Sequence, residues 1–182
     1  MLKPVSITRS KDRQKSLPLP PRSRRDSGAA MVEMAFVIGL LVMVLVGTVT
    51  AAIAFSQQNS IENAAREGSR FGATLPGDPT TTAWLQNVLD VTRAAGVGDL
   101  NTTVPGQLIC VAYVADNGSV AALRQSAGGT PTQSNTECYS DGLGSSESRV
   151  QVVTGRDSEI QAVFFSADLD LRGRAAARWE RG

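Results

Sequence analysis

Between Met34 and Phe55 the chain runs 22 residues without a charge, MAFVIGLLVMVLVGTVTAAIAF. Coiled as a helix at ~1.5 Å per residue, this stretch is ~33 Å long, enough to cross a ~30 Å hydrocarbon core. A helix packed into a soluble core keeps a polar stripe, and this one has none. Gly39 and Gly47 would weaken a water-exposed helix but are ordinary in a membrane-spanning one. The run therefore predicts a single transmembrane segment.

Charge supports the division. The 182 residues sum to +1, yet residues 1–28 carry eight basic against two acidic side chains, a net +6, and every lysine lies in the first 15 positions. The remaining 154 residues carry ten arginines against 15 acids, a net −5. A leader rich in Arg, Lys, Ser and Pro has nothing with which to build a core. Basic residues flank only the N-terminal side of the apolar run, so the positive-inside rule puts residues 1–28 in the cytoplasm and the chain after about residue 56 outside.

The helix is expected to continue past the membrane. Ile61, Ala64, Ala65, Gly68, Phe71, Gly72 and Leu75 recur at helical spacing, Glu62 stands four residues before Arg66, and Pro76-Gly77-Asp78-Pro79 ends the pattern. The predicted helix covers residues 29–75, and its upper, amphipathic half needs a partner for its apolar stripe. Beyond it, Thr80, Thr81 and Thr82 offer N-caps to a short helix with Trp84, Leu85, Val88, Leu89 and Thr92 on one face, ending near Gly96. Gln107–Ala115 reads as a strand, Asn117-Gly118 as a turn, and residues 127–135 as a loop. Arg149–Thr154, Gln161–Ser166 and Leu169–Trp179 read as three further strands. The predicted fold is α+β, with about four antiparallel strands. It divides into a leader (1–28), a transmembrane and stalk helix (29–75) and an exoplasmic head (76–182).

Composition excludes much chemistry. Without histidine the chain lacks the commonest metal ligand and proton-transfer group, so Ser–His and Cys–His catalysis are impossible within it. Cys110 and Cys138 cannot form a zinc site without histidine partners. Placed outside the cytoplasm they suit a disulfide closing a 29-residue ring; two free core thiols are the alternative. Asp168 and Asp170 alternate as strand carboxylates could for acid/base work or calcium, but solvated surface charge accounts for them. Asn101-Thr102-Thr103 and Asn117-Gly118-Ser119 match glycosylation sequons and read as turns.

The junction of leader and membrane is the informative segment: Arg24-Arg25-Asp26-Ser27-Gly28-Ala29-Ala30-Met31-Val32-Glu33-Met34-Ala35. A carboxylate at the edge of an apolar run costs ~2.5 kcal/mol or more at full depth unless it is paired. A cut between Gly28 and Ala29 would create an ammonium at Ala29, which Glu33 of an adjacent subunit could neutralise. The other reading is an uncleaved signal-anchor with Glu33 among the headgroups. In a third, cleavage after Ala52-Ile53-Ala54 would release residues 55–182 as a secreted protein.

Gly28 followed by Glu33 at the fifth mature position resembles a type IV prepilin-like signal. With Asn63-Ala64-Ala65-Arg66-Glu67-Gly68-Ser69-Arg70 and, more weakly, Ala175-Ala176-Ala177-Arg178-Trp179-Glu180, the chain resembles the TadE family of tight-adherence (Flp) pilus assembly proteins. Met34 stands where that family more often has Phe. The resemblance implies a pilin-like fold and a non-enzymatic pseudopilin of the bacterial inner membrane. Its implied partners are the lipid bilayer, a prepilin peptidase and other pilin-like or Tad subunits, with no cofactor, metal, nucleic acid or small-molecule substrate. It makes Gly28 and Ala29 the scissile pair and Glu33 the processing and assembly carboxylate. Asn63, Arg66, Glu67, Gly68 and Arg70 become residues of the helix–head junction.

Overall fold

A computed structural model describes residues 24–144, 146–161 and 166–180, side chains of 24–27 and 161 excepted. The chain divides between Leu41 and Val42 into two compact units. Helix α1 (Arg24–Thr74) covers 51 of the described residues; it is already helical before the predicted start at Ala29 and stops one residue before Leu75. Of the leader, residues 1–23 lie outside the described residues. Within the first unit α1 is exposed on all sides from Gly28 to Leu41.

The second unit holds the rest of α1, α2 (Thr82–Ala95) and a five-stranded antiparallel sheet. The strands are β1 (Leu108–Val114), β2 (Val120–Ser126), β3 (Thr132–Ser134), β4 (Arg149–Gln161) and β5 (Ser166–Arg178), in the order β3-β2-β1-β4-β5. Among the described residues this is an α+β fold with a pilin-like layout.

Local chemistry explains the elements. Asp78 accepts from the backbone N–H and hydroxyl of Thr80 at 2.9 and 2.7 Å, which holds its carboxyl below the ordinary range. Thr81 is the N-cap, its hydroxyl accepting from Trp84 N–H at 3.3 Å, and Gly96 is the C-cap. Asn117-Gly118 turns β1 into β2, with Gly118 at φ +79° and its N–H on the Ala115 carbonyl at 3.0 Å.

The strands depart from expectation in three places. Val120–Ser126 was not predicted as a strand; β1 imposes the extended form through the register Val111↔Leu123, since strand preference follows pairing and burial more than composition. The expected loop at 127–135 contains the short edge strand β3. Gln161 and Ser166 are not one strand: Gln161 ends β4, Ser166 opens β5, and the two are paired, while residues 162–165 lie outside the described residues. β4 also runs seven residues past Thr154.

The two sheet faces are covered differently. Ile109, Val111 and Tyr113 of β1, with Val150 and Val152 of β4, pack with Ile61, Ala64 and Ala65 of α1 and Trp84, Leu85, Val88 and Leu89 of α2. The apolar stripe of the stalk is thus buried by the chain's own head. The opposite face carries Cys110, Gln151 and Arg149. Cys138 is bonded to Cys110, Cα atoms 5.8 Å apart. Arg149 Nη2 donates to Asp141 Oδ1 at 2.9 Å and Gln151 Nε2 to Asp141 Oδ2 at 2.9 Å.

Candidate processing and assembly site

Gly28, Ala29 and Glu33 all lie on α1 and are exposed. A β-carbon added to Gly28 would meet no heavy atom within 4 Å, so nothing in this fold demands glycine there. Glu33 is followed directly by the apolar run, whose large side chains are bare: Met34 is 59% exposed, Phe36 77% and Leu40 67%. This helix is long and apolar enough to cross a membrane, with a mean hydropathy of 2.6 over its best window.

At the other end of α1 the chemistry is that of close packing. A β-carbon on Gly68 would overlap the hydroxyl of the buried Thr92 on α2. One on Gly72 would stand 2.8 Å from Val150 Cγ1 and 3.2 Å from Val88 Cγ2. Trp84 Nε1 donates to the Leu75 carbonyl at 3.2 Å, and Glu180 N–H to the Ala73 carbonyl at 3.2 Å. Thr154 donates its hydroxyl to the Ile61 carbonyl at 2.9 Å.

The octet at 63–70 therefore splits by face. Ala64, Ala65, Gly68 and Ser69 are buried, whereas Asn63, Arg66, Glu67 and Arg70 are outward-facing. Arg66 pairs with Glu62 at 3.1 Å and Arg70 with Glu67 at 3.7 Å, both within α1. Together with Ala95 the four outward residues line an open depression of about 450 Å³. Exposed pairs of this kind stabilise by at most ~1 kcal/mol, so the junction is held by the small residues, while the charges face solvent.

Several junction residues escaped the sequence reading. Gly173 of β5 has no room for a side chain: a β-carbon would stand 2.7 Å from the Ile61 carbonyl oxygen and 2.9 Å from Glu62 Cα. Gln57 and Gln58 also touch the sheet, Ser158 donating to Gln57 Oε1 at 2.7 Å and Gln58 Nε2 to the Arg172 carbonyl at 3.0 Å. A glycine inside an otherwise regular strand was the available signal for the first; the glutamines carried none.

On the opposite sheet face, Arg149 and Asp141 have side chains only 4% and 9% exposed. Burial pushes the Asp141 carboxyl up, but hydrogen bonds from Gln151, the Leu143 N–H and Arg149, with the Arg149 charge, outweigh it and hold the group below the ordinary range. Burial and the neighbouring Asp141 raise Tyr139, whose ring lies beneath Arg174 at 5.8 Å. Asp168 and Asp170 face Glu159 and Asp157 across the β4–β5 ladder; Asp170 pairs with Arg172 at 2.8 Å.

A helix long and apolar enough to cross a membrane, continuing into a segment packed by small residues on an α+β head, is a pilin-like layout. The family model for TadE-like protein matches residues 28–70, and this segment of the chain is similar to that family. No curated protein and no solved structure matches the chain.

Proposed function

We propose that the chain is a pseudopilin-like subunit of tight-adherence pilus assembly, anchored in the bacterial inner membrane by α1 with its N-terminus cytoplasmic. Its working parts are the leader (1–28), the membrane and stalk helix (29–75, spanning at about 34–55) and the exoplasmic head (76–182). A prepilin peptidase hydrolyses the Gly28–Ala29 bond; water supplies the new carboxylate on Gly28 and the ammonium on Ala29. Removal of the leader takes away +6 of charge. Glu33 then neutralises the Ala29 ammonium of a neighbouring pilin-like or Tad subunit as their apolar helices pack together, relieving the cost of a lone carboxylate at the membrane edge.

The observation that carries this reading is the family match, which opens at Gly28 and spans both the membrane entry and the octet at 63–70. Support comes from the open space around Gly28: a small residue that the fold does not need suits recognition by another protein. No catalytic, cofactor or metal role is assigned to this chain.

The test is the N-terminus of the mature protein, read by sequencing or intact mass. A start at Ala29 is expected. A start at Phe55 would make it a secreted protein, and Met1 an uncleaved anchor; either refutes the proposal. A bulky residue at Gly28 should leave the leader attached, and Glu33→Ala should leave the protein in the membrane while piliation falls.

A further inference from the structure

The sheet face turned away from the helices is also closed. Ala112, Val114, Ala122 and Val153 are buried there beside Cys110 and Gln151, and none of them belongs to the helix-side core. Residues 136–144 supply the cover. They lie between β3 and β4 and form neither helix nor strand.

This strap is tied down rather than packed down. A cavity of about 350 Å³ remains beside it, lined by Val114 and Val120 of the sheet and by Glu137, Ser140 and Asp141 of the strap. A close-packed interior leaves no such gap. Gly142 and Gly144 stand at φ +76° and +59° with open space around them, the freedom a hinge requires. Closure also leaves Arg124 Nε and Gln151 Oε1 buried without a hydrogen-bond partner among the described residues, a cost that opening removes.

Two attachments oppose opening. One is the Cys110–Cys138 disulfide, with Arg124 Nη2 donating to the neighbouring Glu137 carbonyl at 2.8 Å. The other is Asp141, which accepts from Arg149 Nε at 2.5 Å and Nη2 at 2.9 Å and from Gln151 Nε2 at 2.9 Å. Arg149 Nη1 adds a bond to the Gly144 carbonyl at 2.7 Å. Cys138 and Asp141 are three residues apart in the chain. While one is held, the other can stray no more than ~11 Å and meets its partner at high effective concentration.

We infer that residues 136–144 form a redox-sensitive strap with two latches, closed while either the disulfide or the Asp141–Arg149 pair is intact and open when both are lost. The first latch opens by thiol–disulfide exchange with a dithiol. The Cys110–Cys138 bond breaks, its sulfurs take up two electrons and two protons, and the dithiol closes to its own disulfide. Reduction alone leaves the strap shut but dependent on Asp141. Opening uncovers Arg149 and the apolar patch around Ala112 and Val153, beside the exposed Arg174 and Arg178 of β5.

Arginine labelling with phenylglyoxal tests it on the full-length protein in detergent. Peptide mass spectrometry follows Arg149, whose side chain is 4% exposed, against Arg178 at 73%. Wild type and Asp141→Ala are each compared with the disulfide intact and after reduction by dithiothreitol. Arg149 should lag Arg178 by on the order of tenfold or more in the three states that keep a latch, and approach it only in reduced Asp141→Ala. Arg156, 15% exposed on the helix-covered face, must stay slow throughout, since unfolding of the head would expose both. If Asp141→Ala fails that control, Asp141→Asn, with nearly the same side-chain volume, takes its place. A fast Arg149 in any state that keeps a latch overturns the proposal. So does a slow Arg149 in reduced Asp141→Ala, because the strap would then be held by neither latch.

Discussion

Gly68→Ala probes the closest approach of α1 to α2. The new methyl would overlap Thr92 Oγ1 and stand 3.1 Å from Thr92 Cβ. Thr92 is buried, stiff at χ1 because it is β-branched, and donates its hydroxyl to the Val88 carbonyl at 2.7 Å. Two responses are open. Rotating χ1 to turn a hydrogen toward the methyl breaks that buried bond, costing about 1–3 kcal/mol. Parting the helices instead is overpacking, which costs about 1–3 kcal/mol. Alanine's better helix propensity returns about 1 kcal/mol. The net is a loss of up to about 2 kcal/mol, at roughly 4 °C per kcal/mol in a domain of this size. Thermal unfolding of the full-length protein in detergent, followed by near-ultraviolet circular dichroism, measures it. The decisive comparison is the same substitution in a Thr92→Ala background. There the overlapping hydroxyl and the γ-methyl are gone, only the 3.1 Å approach to Cβ remains, and Gly68→Ala should become close to neutral or stabilising. Equal effects in both backgrounds, within about 0.5 kcal/mol, would refute the steric account.

Other expectations concern separate parts of the head. Gly173→Ala drives a methyl against the α1 backbone, which cannot rotate aside, so it should cost more than Gly68→Ala in the same melts and break the Gln58 hydrogen bond to the Arg172 carbonyl. Removing both cysteines together, or reducing the bond, should cost up to about 3–4 kcal/mol in the chain-entropy model for a ring of about 29 residues, read from denaturant curves with and without reductant. Asp141→Asn leaves the buried Arg149 with only the longer 3.9 Å pairing to Glu137 and should destabilise by up to about 3 kcal/mol. Because the folded Asp141 is held below its unfolded value, its contribution is complete above the ordinary carboxylate range and is lost as pH falls through the lower folded value. Stability of the wild type should therefore decline into acid more steeply than that of Asp141→Asn. Thr81→Ala removes the cap of α2 and should cost about 1 kcal/mol, visible as lost amide protection at Trp84.

These effects separate what could be read along the chain from what could not. The end of α1, the cap at Thr81, the buried face of α2, the turn at Asn117-Gly118 and the cysteine pair were all legible, because each depends on neighbours within a turn or on the residue type itself. The octet at 63–70 was legible as a motif but not as two faces. Which of its residues meet the head depends on where α2 and β5 lie, and that put Gly68 inside and Arg66, Glu67 and Arg70 outside.

Alone, the sequence determined the membrane-length run, the charge asymmetry across Gly28, the position of Glu33 and the exclusion of histidine chemistry, since composition and spacing suffice for these. Tertiary structure alone decided that β2 and β3 are strands, that Gly173 abuts α1, and that β4 and β5 stay paired beyond the end of β1. Each of those follows from contacts between residues far apart in the chain, and pairing and exclusion at such distances leave no periodic trace in a sequence.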